Sequence, residues 1–353
     1  MKNTIQNEYN FNLEKTINTL VVVISFGIVA HLIFLLLTND QNVFQYLHRI
    51  KLPYVFLILV CLFANWVGHA LRLMIWTRYL KNQFRFRDAL RIAIYTELGA
   101  AITPTLIGGG PIKFALLIKQ KLSTGKAGFL TLLNGFEDFI MYSTVLVVGF
   151  FHARGSIFRI LRSIVNGLTE NIVKVSLIIT GTVILVILFR TVPFLKKMRF
   201  LPDKYKQMLS KISSEIKSGW HEMLHSFNQV RKDGLRYLLV SLTVLFVQWT
   251  LRFSVLLILL YALGIDFKPF QIYIQQWIVY LTMIFIPTPG ASGGAEATFY
   301  LIFEKQLPRE LLPLITSTWR FFMYYLMLFI AVFIVQFVRY PEKTTETTQT
   351  TDG

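Results

Sequence analysis

Apolar residues run in blocks long enough to cross a bilayer, and polar residues collect between the blocks. The runs Thr16 to Leu37, Pro53 to Trp76, Gly128 to Phe151, Ile172 to Phe189, Tyr237 to Leu263 and Leu311 to Val338 each approach or exceed the ~20 residues an α-helix needs to span a ~30 Å hydrocarbon core. Six full transmembrane helices are predicted from them. Two further apolar stretches are interrupted: Asp88 to Lys121 breaks at Thr103 to Pro111, and Phe270 to Lys305 breaks at Pro287 to Gly294. Their arms are too short to cross singly, so each stretch reads as a re-entrant helical hairpin, with two ordinary kinked spans as the alternative.

The two breaks share a pattern. Thr103-Pro104-Thr105-Leu106-Ile107-Gly108-Gly109 and Thr288-Pro289-Gly290-Ala291-Ser292-Gly293-Gly294 both read Thr-Pro, three residues, Gly-Gly. In lipid, backbone leaves a helix only where protein or a water-filled cavity satisfies its polar groups, so such breaks mark interior sites. Matching breaks in the two halves of a chain are the pattern of a substrate site at a repeat interface.

Charge sets the predicted topology. Lys and Arg number 36 against 19 Asp and Glu, a net +17, and the excess falls in patches that belong on the cytoplasmic side. One patch is Arg78, Lys81, Arg85, Arg87 and Arg91, a second is Lys113, Lys119, Lys121 and Lys126, and the largest covers Arg190 to Arg236. The first hairpin then enters from the cytoplasm and the second from outside. The prediction is an all-α polytopic membrane protein with an inverted repeat, halves 16–170 and 171–338, and both termini cytoplasmic. Residues 1–15 and the Thr-rich tail 339–353 are expected to be disordered. Within the connection 190–236, Leu209, Ile212, Ile216, Trp220, Met223, Leu224 and Phe227 recur at helical spacing, as in a basic amphipathic helix lying on anionic lipids. The loop His152 to Glu170, with Arg154, Arg159 and Arg162, departs from the positive-inside pattern and reads as a second interfacial helix.

Composition agrees with this class: 54% of the 353 residues are hydrophobic, 15% aromatic and 16% charged. The single cysteine, Cys61, lies in an apolar run and offers neither a disulfide nor a thiolate metal site. The first apolar run lacks the small-residue cleavage site of a signal peptide. Trp66, Trp76, Trp249, Trp277 and Trp319 are expected in interfacial belts and at lipid.

The breaks also suggest chemistry. Pro111, just after Gly108-Gly109-Gly110, suits the first turn of a helix, whose N–H groups are unpaired in any case. That helix start points its free donors and positive dipole end into the membrane, and Gly293-Gly294 followed by Ala295-Glu296 places a second start at similar depth. Two such ends make a cradle for a phosphate or carboxylate. Lys113 either adds a full charge to the same anion or snorkels to the surface. Glu296 either caps its own helix or meets substrate. Glu97, Glu137, Asp138, Arg252 and Arg320 are ionisable groups in apolar surroundings, where function is the default reading; pairing of Glu137 or Asp138 with Arg252 or Arg320 is the structural alternative. His31 and His69 read as helix-packing residues. The sequence carries no Walker loop, nucleophile elbow, HExxH helix or histidine cluster, so no catalytic residue, metal or cofactor is predicted, transport is passive or ion-coupled, and no nucleic-acid partner is expected.

Ile102 to Ile118, the acidic cluster Asn134 to Asp138 and above all Ile286 to Phe303 resemble the lysylphosphatidylglycerol synthase transmembrane-region family, which includes the flippase domain of the multiple peptide resistance factor. The resemblance covers most of the chain from the second span to the last. Where many relatives carry Gly-Gly-Glu-Pro, this sequence has Gly108-Gly109-Gly110-Pro111, without the acidic residue at position 110. It implies a flippase-like protein of the bacterial inner membrane that moves an anionic or aminoacylated phospholipid between leaflets. Full-length synthases add a cytosolic acyltransferase-like domain, whereas about fifteen residues follow Val338 here, so this chain alone is not expected to transfer lysine. A separately encoded lipid-modifying transferase is the partner this implies, and a small-solute transporter or the membrane subunit of a two-chain lipid-modifying or glycan-assembly enzyme are the alternatives.

Overall fold

The computed structural model describes residues 50–103, 108–152, 203–286, 288 and 290–337. Among these residues all regular structure is helical: α1 (Leu52–Tyr79), α2 (Phe86–Ile102), α3 (Gly109–Lys119), α4 (Thr124–His152), α5 (Asp203–Asp233), α6 (Leu235–Ala262), α7 (Pro269–Met283), α8 (Gly294–Phe303), α9 (Leu312–Arg320), a π-helical turn (Phe321–Leu326) and α10 (Met327–Phe337). Helices α1, α4 and α6 and the continuous run from α9 through the π-turn into α10 are long and apolar enough to cross a membrane. They correspond to four of the expected spans. The other two, Thr16 to Leu37 and Ile172 to Phe189, lie outside the described residues. So do residues 1–15, the segment after His152 up to residue 202, His31 and the tail.

Helix α1 shows why these segments suit lipid. Leu52, Phe56, Val60, Phe63, Val67 and Leu71 are exposed, and their spacing of three or four residues puts them on one stripe of the helix. The opposite face carries polar residues inward: Asn65 and Arg72 are buried. Exposed large apolar side chains over buried polar ones invert the pattern of a water-soluble surface. On its inner side α1 packs along α6. The approach is close because residue 68 is glycine; a Cβ there would stand 2.7 Å from the Gln248 side chain.

Between the long helices lie two pairs of short ones, α2 with α3 and α7 with α8, each pair packed together. They occupy the two interrupted stretches. Thr103 closes the first pair: its hydroxyl donates to the Gly99 carbonyl at 3.0 Å and accepts from the Gly108 N–H at 2.8 Å. One side chain thus satisfies backbone groups left over at the end of one helix and the start of the next. Thr288 acts within the second turn, donating to the Ser292 carbonyl at 2.9 Å. Pro104 and Pro289 lie outside the described residues.

The core holds two apolar clusters, a large one around Trp66, Trp249, Trp277 and Phe299 and a smaller one around Trp76, Phe129 and Met223. This corrects the expectation for tryptophan. Trp66, Trp76, Trp249, Trp277 and Trp319 are all buried, the most exposed at 3%, because their broad rings fill the space between helices and pack on one another, as Trp249 and Trp277 do in a tilted pair at 4.9 Å. Trp220 is the exposed one among those described. Cys61 is buried in the core.

Helix α5 also departs from a simple surface helix. Met223, Ser226 and Val230 are buried, and the helix packs on the beginning of α4, where Ser123 donates to Glu222 at 2.6 Å. Its apolar residues therefore divide: Met223 and Phe227 pack on protein, while Trp220 and Leu224 remain exposed.

Candidate functional site

A cavity of about 440 Å³ lies where the two short-helix pairs meet the long helices. The first pair contributes Glu97, Gly109, Gly110 and Lys113, and the second contributes Tyr280 and the turn residue Gly290. Asp138, Arg252 and Arg320 bring charge from three of the long segments, and His69 lines the wall as well. Most of the remaining lining is aromatic or aliphatic.

Lys113 points inward. Its ammonium group donates to the Asn134 side-chain oxygen and it lines the cavity, so the snorkelling alternative does not describe it. It stands one turn into α3, a helix whose start at Gly108 is held by Thr103 while the next residues, Gly109 and Gly110, line the cavity. Free N–H donors, the positive end of the helix dipole and a lysine charge are thereby grouped at one edge of the cavity. The second helix start differs. Glu296 accepts from the Gly293 N–H at 2.7 Å and pairs with Arg320 at 2.9 Å. The start of α8 is thus already occupied by a carboxylate of its own chain, and the cavity meets the turn at Gly290 instead.

Four intramembrane cations differ in how firmly they are held. Arg72 is fully buried and donates twice to Glu137, at 2.6 and 3.0 Å, and once to Asp138 at 3.1 Å. Glu137 also accepts from Trp76 at 2.7 Å and from Asn134 at 3.2 Å. Such a pair survives out of water because nearly every lone pair and proton has a partner. Arg320 is equally enclosed, between Glu296, the Gly290 carbonyl and the Tyr324 ring, whose centroid lies 4.3 Å from the guanidinium carbon. Arg252 makes one long contact of 3.4 Å to Glu97 and rests on the faces of Trp249 and Tyr280. Lys113 donates to the Asn134 amide, and the Asp138 and Glu137 carboxylates lie within its electrostatic reach without a salt bridge to it.

These partners correct the expected pairing. Glu137 and Asp138 bind Arg72 of α1, not Arg252 or Arg320. Arg72 was not among the candidate residues, although it lies within the expected span Pro53 to Trp76. An arginine near the end of an apolar run reads as a membrane-edge charge. Asn65, Asn134, Gln248 and Tyr324 gave no charge signal at all, yet they position the charged groups: Asn65 donates to Glu97 at 3.2 Å and accepts from Gln248 at 3.0 Å.

The second turn is built around Tyr324. Gly290 has φ +59°, and a Cβ there would lie 2.0 Å from the Tyr324 hydroxyl oxygen. Ala291 and Gly293 also have positive φ, +55° and +82°. The Pro-Gly-Ala-Ser-Gly-Gly sequence thus supplies two glycines to a left-handed run of backbone that an ordinary turn does not require.

Comparison with known proteins fits this arrangement. The family model described as "Lysylphosphatidylglycerol synthase TM region" matches residues 21–331. A protein of Archaeoglobus fulgidus named as a UPF0104 membrane protein is 25% identical over 277 residues, which are 77% of this chain and 82% of its relative. The chain is a multi-pass membrane protein, and it belongs to the lysylphosphatidylglycerol synthase transmembrane-region family.

Proposed function

We propose that this protein moves a phospholipid headgroup between leaflets, the headgroup passing through the charged cavity while the acyl chains stay in the bilayer. The observation that carries the reading is Lys113: a cation one turn from the start of α3, facing a cavity of about 440 Å³, with only the Asn134 amide as its hydrogen-bond acceptor. A phosphate is the group that such a constellation binds best. In this reading the pairs α2/α3 and α7/α8 are re-entrant hairpins from opposite faces, the halves form an inverted repeat, and the protein translocates without making or breaking a bond. The exposed apolar stripe of α1 and the polar cavity behind it support lipid over a wholly soluble solute, because both environments are needed by one amphiphile.

Reconstitution tests the reading. Liposomes containing fluorescent phosphatidylglycerol or its aminoacylated form should show protein-dependent translocation, reduced about ten-fold or more by Lys113→Gln if the charge-assisted contact is worth the usual 1.5–3 kcal/mol. Translocation that is indifferent to headgroup and to Lys113, or uptake of soluble organic anions instead, overturns it.

A further inference from the structure

We infer that the Glu97–Arg252 ion pair is a binding station for a zwitterionic headgroup, whose phosphodiester takes Arg252 and whose ammonium takes Glu97. The inference rests on the transport reading and adds a ligand class to the same cavity.

Three arginines pair with carboxylates within the described membrane interior, Arg72 with both Glu137 and Asp138, and the Arg252 pair is the longest of the four and the one in which both members are partly exposed. Arg72–Glu137 and Arg320–Glu296 are close, at 2.6 and 2.9 Å, with side chains at most 10% exposed. Arg252–Glu97 is 3.4 Å apart, its side chains are 16% and 25% exposed, and both residues line the cavity. Each member also keeps other support when the pair separates. Glu97 accepts from Asn65 and from the Trp66 indole. Arg252 lies against Trp249 and Tyr280, 5.4 and 5.9 Å from their centroids, a seat that holds a guanidinium independently of any anion. The Arg252 Nε is buried with no hydrogen-bond partner.

Charge balance selects the ligand. A zwitterion replaces the internal pair charge for charge, so both protein groups remain partnered. A simple anion takes Arg252 and leaves the Glu97 carboxylate without a cation, beside an added negative charge, which is the costly half of breaking a shielded pair. A neutral headgroup offers neither partner. Lys113 then meets the phosphate on its way into the cavity, and the pair holds the whole headgroup.

The test is binding of short-chain lipids to the purified full-length protein in detergent, with dihexanoyl-phosphatidylethanolamine, dihexanoyl-phosphatidylglycerol and water-soluble glycerophosphoethanolamine as probes. The ethanolamine lipid should bind about ten-fold more tightly than the glycerol lipid, and Glu97→Gln should erase that preference by weakening the first and not the second. Arg252→Lys should keep the preference with weaker binding of both, and thermal unfolding of each variant controls for folding. Equal wild-type affinities for the two lipids, or a preference that survives Glu97→Gln in a folded protein, overturn the inference while leaving transport of anionic lipid intact. Glycerophosphoethanolamine binding as tightly as the ethanolamine lipid supports the zwitterion station and overturns the lipid reading. Binding of none of the three overturns both.

Discussion

The Tyr324 hydroxyl donates to the carbonyl oxygen of Ala101 at 3.2 Å, joining the π-turn of the last span to the end of α2. The same ring fills the space that a side chain at Gly290 would occupy. One residue of the π-turn therefore touches both helix breaks; single π-turns inside α-helices are frequent at functional sites.

Gly290→Ala should be strongly destabilising. The left-handed backbone alone costs roughly 1–2 kcal/mol for a residue with a Cβ, and the new methyl group would clash with Tyr324 as well. Thermal unfolding in detergent should show a loss of at least that size. Tyr324→Phe, which removes only the hydroxyl, should cost about 1 kcal/mol.

Ala291→Gly should do the opposite. Ala291 holds φ +55°, and glycine adopts that conformation without the steric penalty, so the variant should unfold later by up to about 1 kcal/mol. A lower unfolding temperature would mean that the buried Ala291 methyl contributes more by packing than its backbone costs.

Arg72→Gln and Arg252→Gln should separate structural from functional charge. Removing Arg72 strands Glu137 in the interior and should cost about 3–5 kcal/mol, seen as loss of folded protein on purification. The double variant Arg72→Gln with Glu137→Gln should recover part of that loss, since neither charge is then left alone. Arg252→Gln should cost less than Arg72→Gln, because Glu97 keeps Asn65 and Trp66 as donors, and should weaken headgroup binding as well.

Gly110→Glu should fold. A Cβ at this position has open space, the nearest atom being Thr131 Cγ2 at 3.9 Å, and a glutamate in the first turn of α3 gains about 0.3–1 kcal/mol from the helix dipole. The new carboxylate would stand in the cavity near Lys113, so affinity for a purely anionic lipid should fall while stability holds or rises. Equilibrium lipid binding and thermal unfolding read the two effects separately.

Much of the fold was legible because bilayers impose simple rules. The helices Leu52–Tyr79, Leu235–Ala262 and Thr124–His152 lie within four residues of the runs expected at those places, since length and continuous apolarity are visible in one dimension. The interruptions were visible too, because Gly and Pro clusters inside apolar sequence have few other uses. Charge pairing was not legible. Whether Glu137 meets Arg72 or Arg320 depends on which helices are neighbours, and periodicity says which face a residue is on without saying what it faces. Tryptophan misled for a related reason: its frequency at membrane interfaces is a statistical preference, and a ring as large as that of Trp277 also serves as core filling. The role of Thr103 could have been anticipated, as a hydroxyl at the end of one short helix followed by glycines is suited to closing a turn.

The exposed stripe on α1 also works as a ruler. From Leu52 to Leu71 it advances nineteen residues, which at ~1.5 Å each is about 28 Å, close to the full thickness of the hydrocarbon layer. Trp66, which donates to Glu97, lies five residues before the stripe ends, or about 8 Å beneath that surface. Measured along that stripe, the Glu97–Arg252 pair is off centre, nearer the end where Arg78 and Lys81 follow than the other. In the transport proposed above, a headgroup leaving the basic side has the short leg of the journey first, and the longer stretch of low dielectric lies ahead of it.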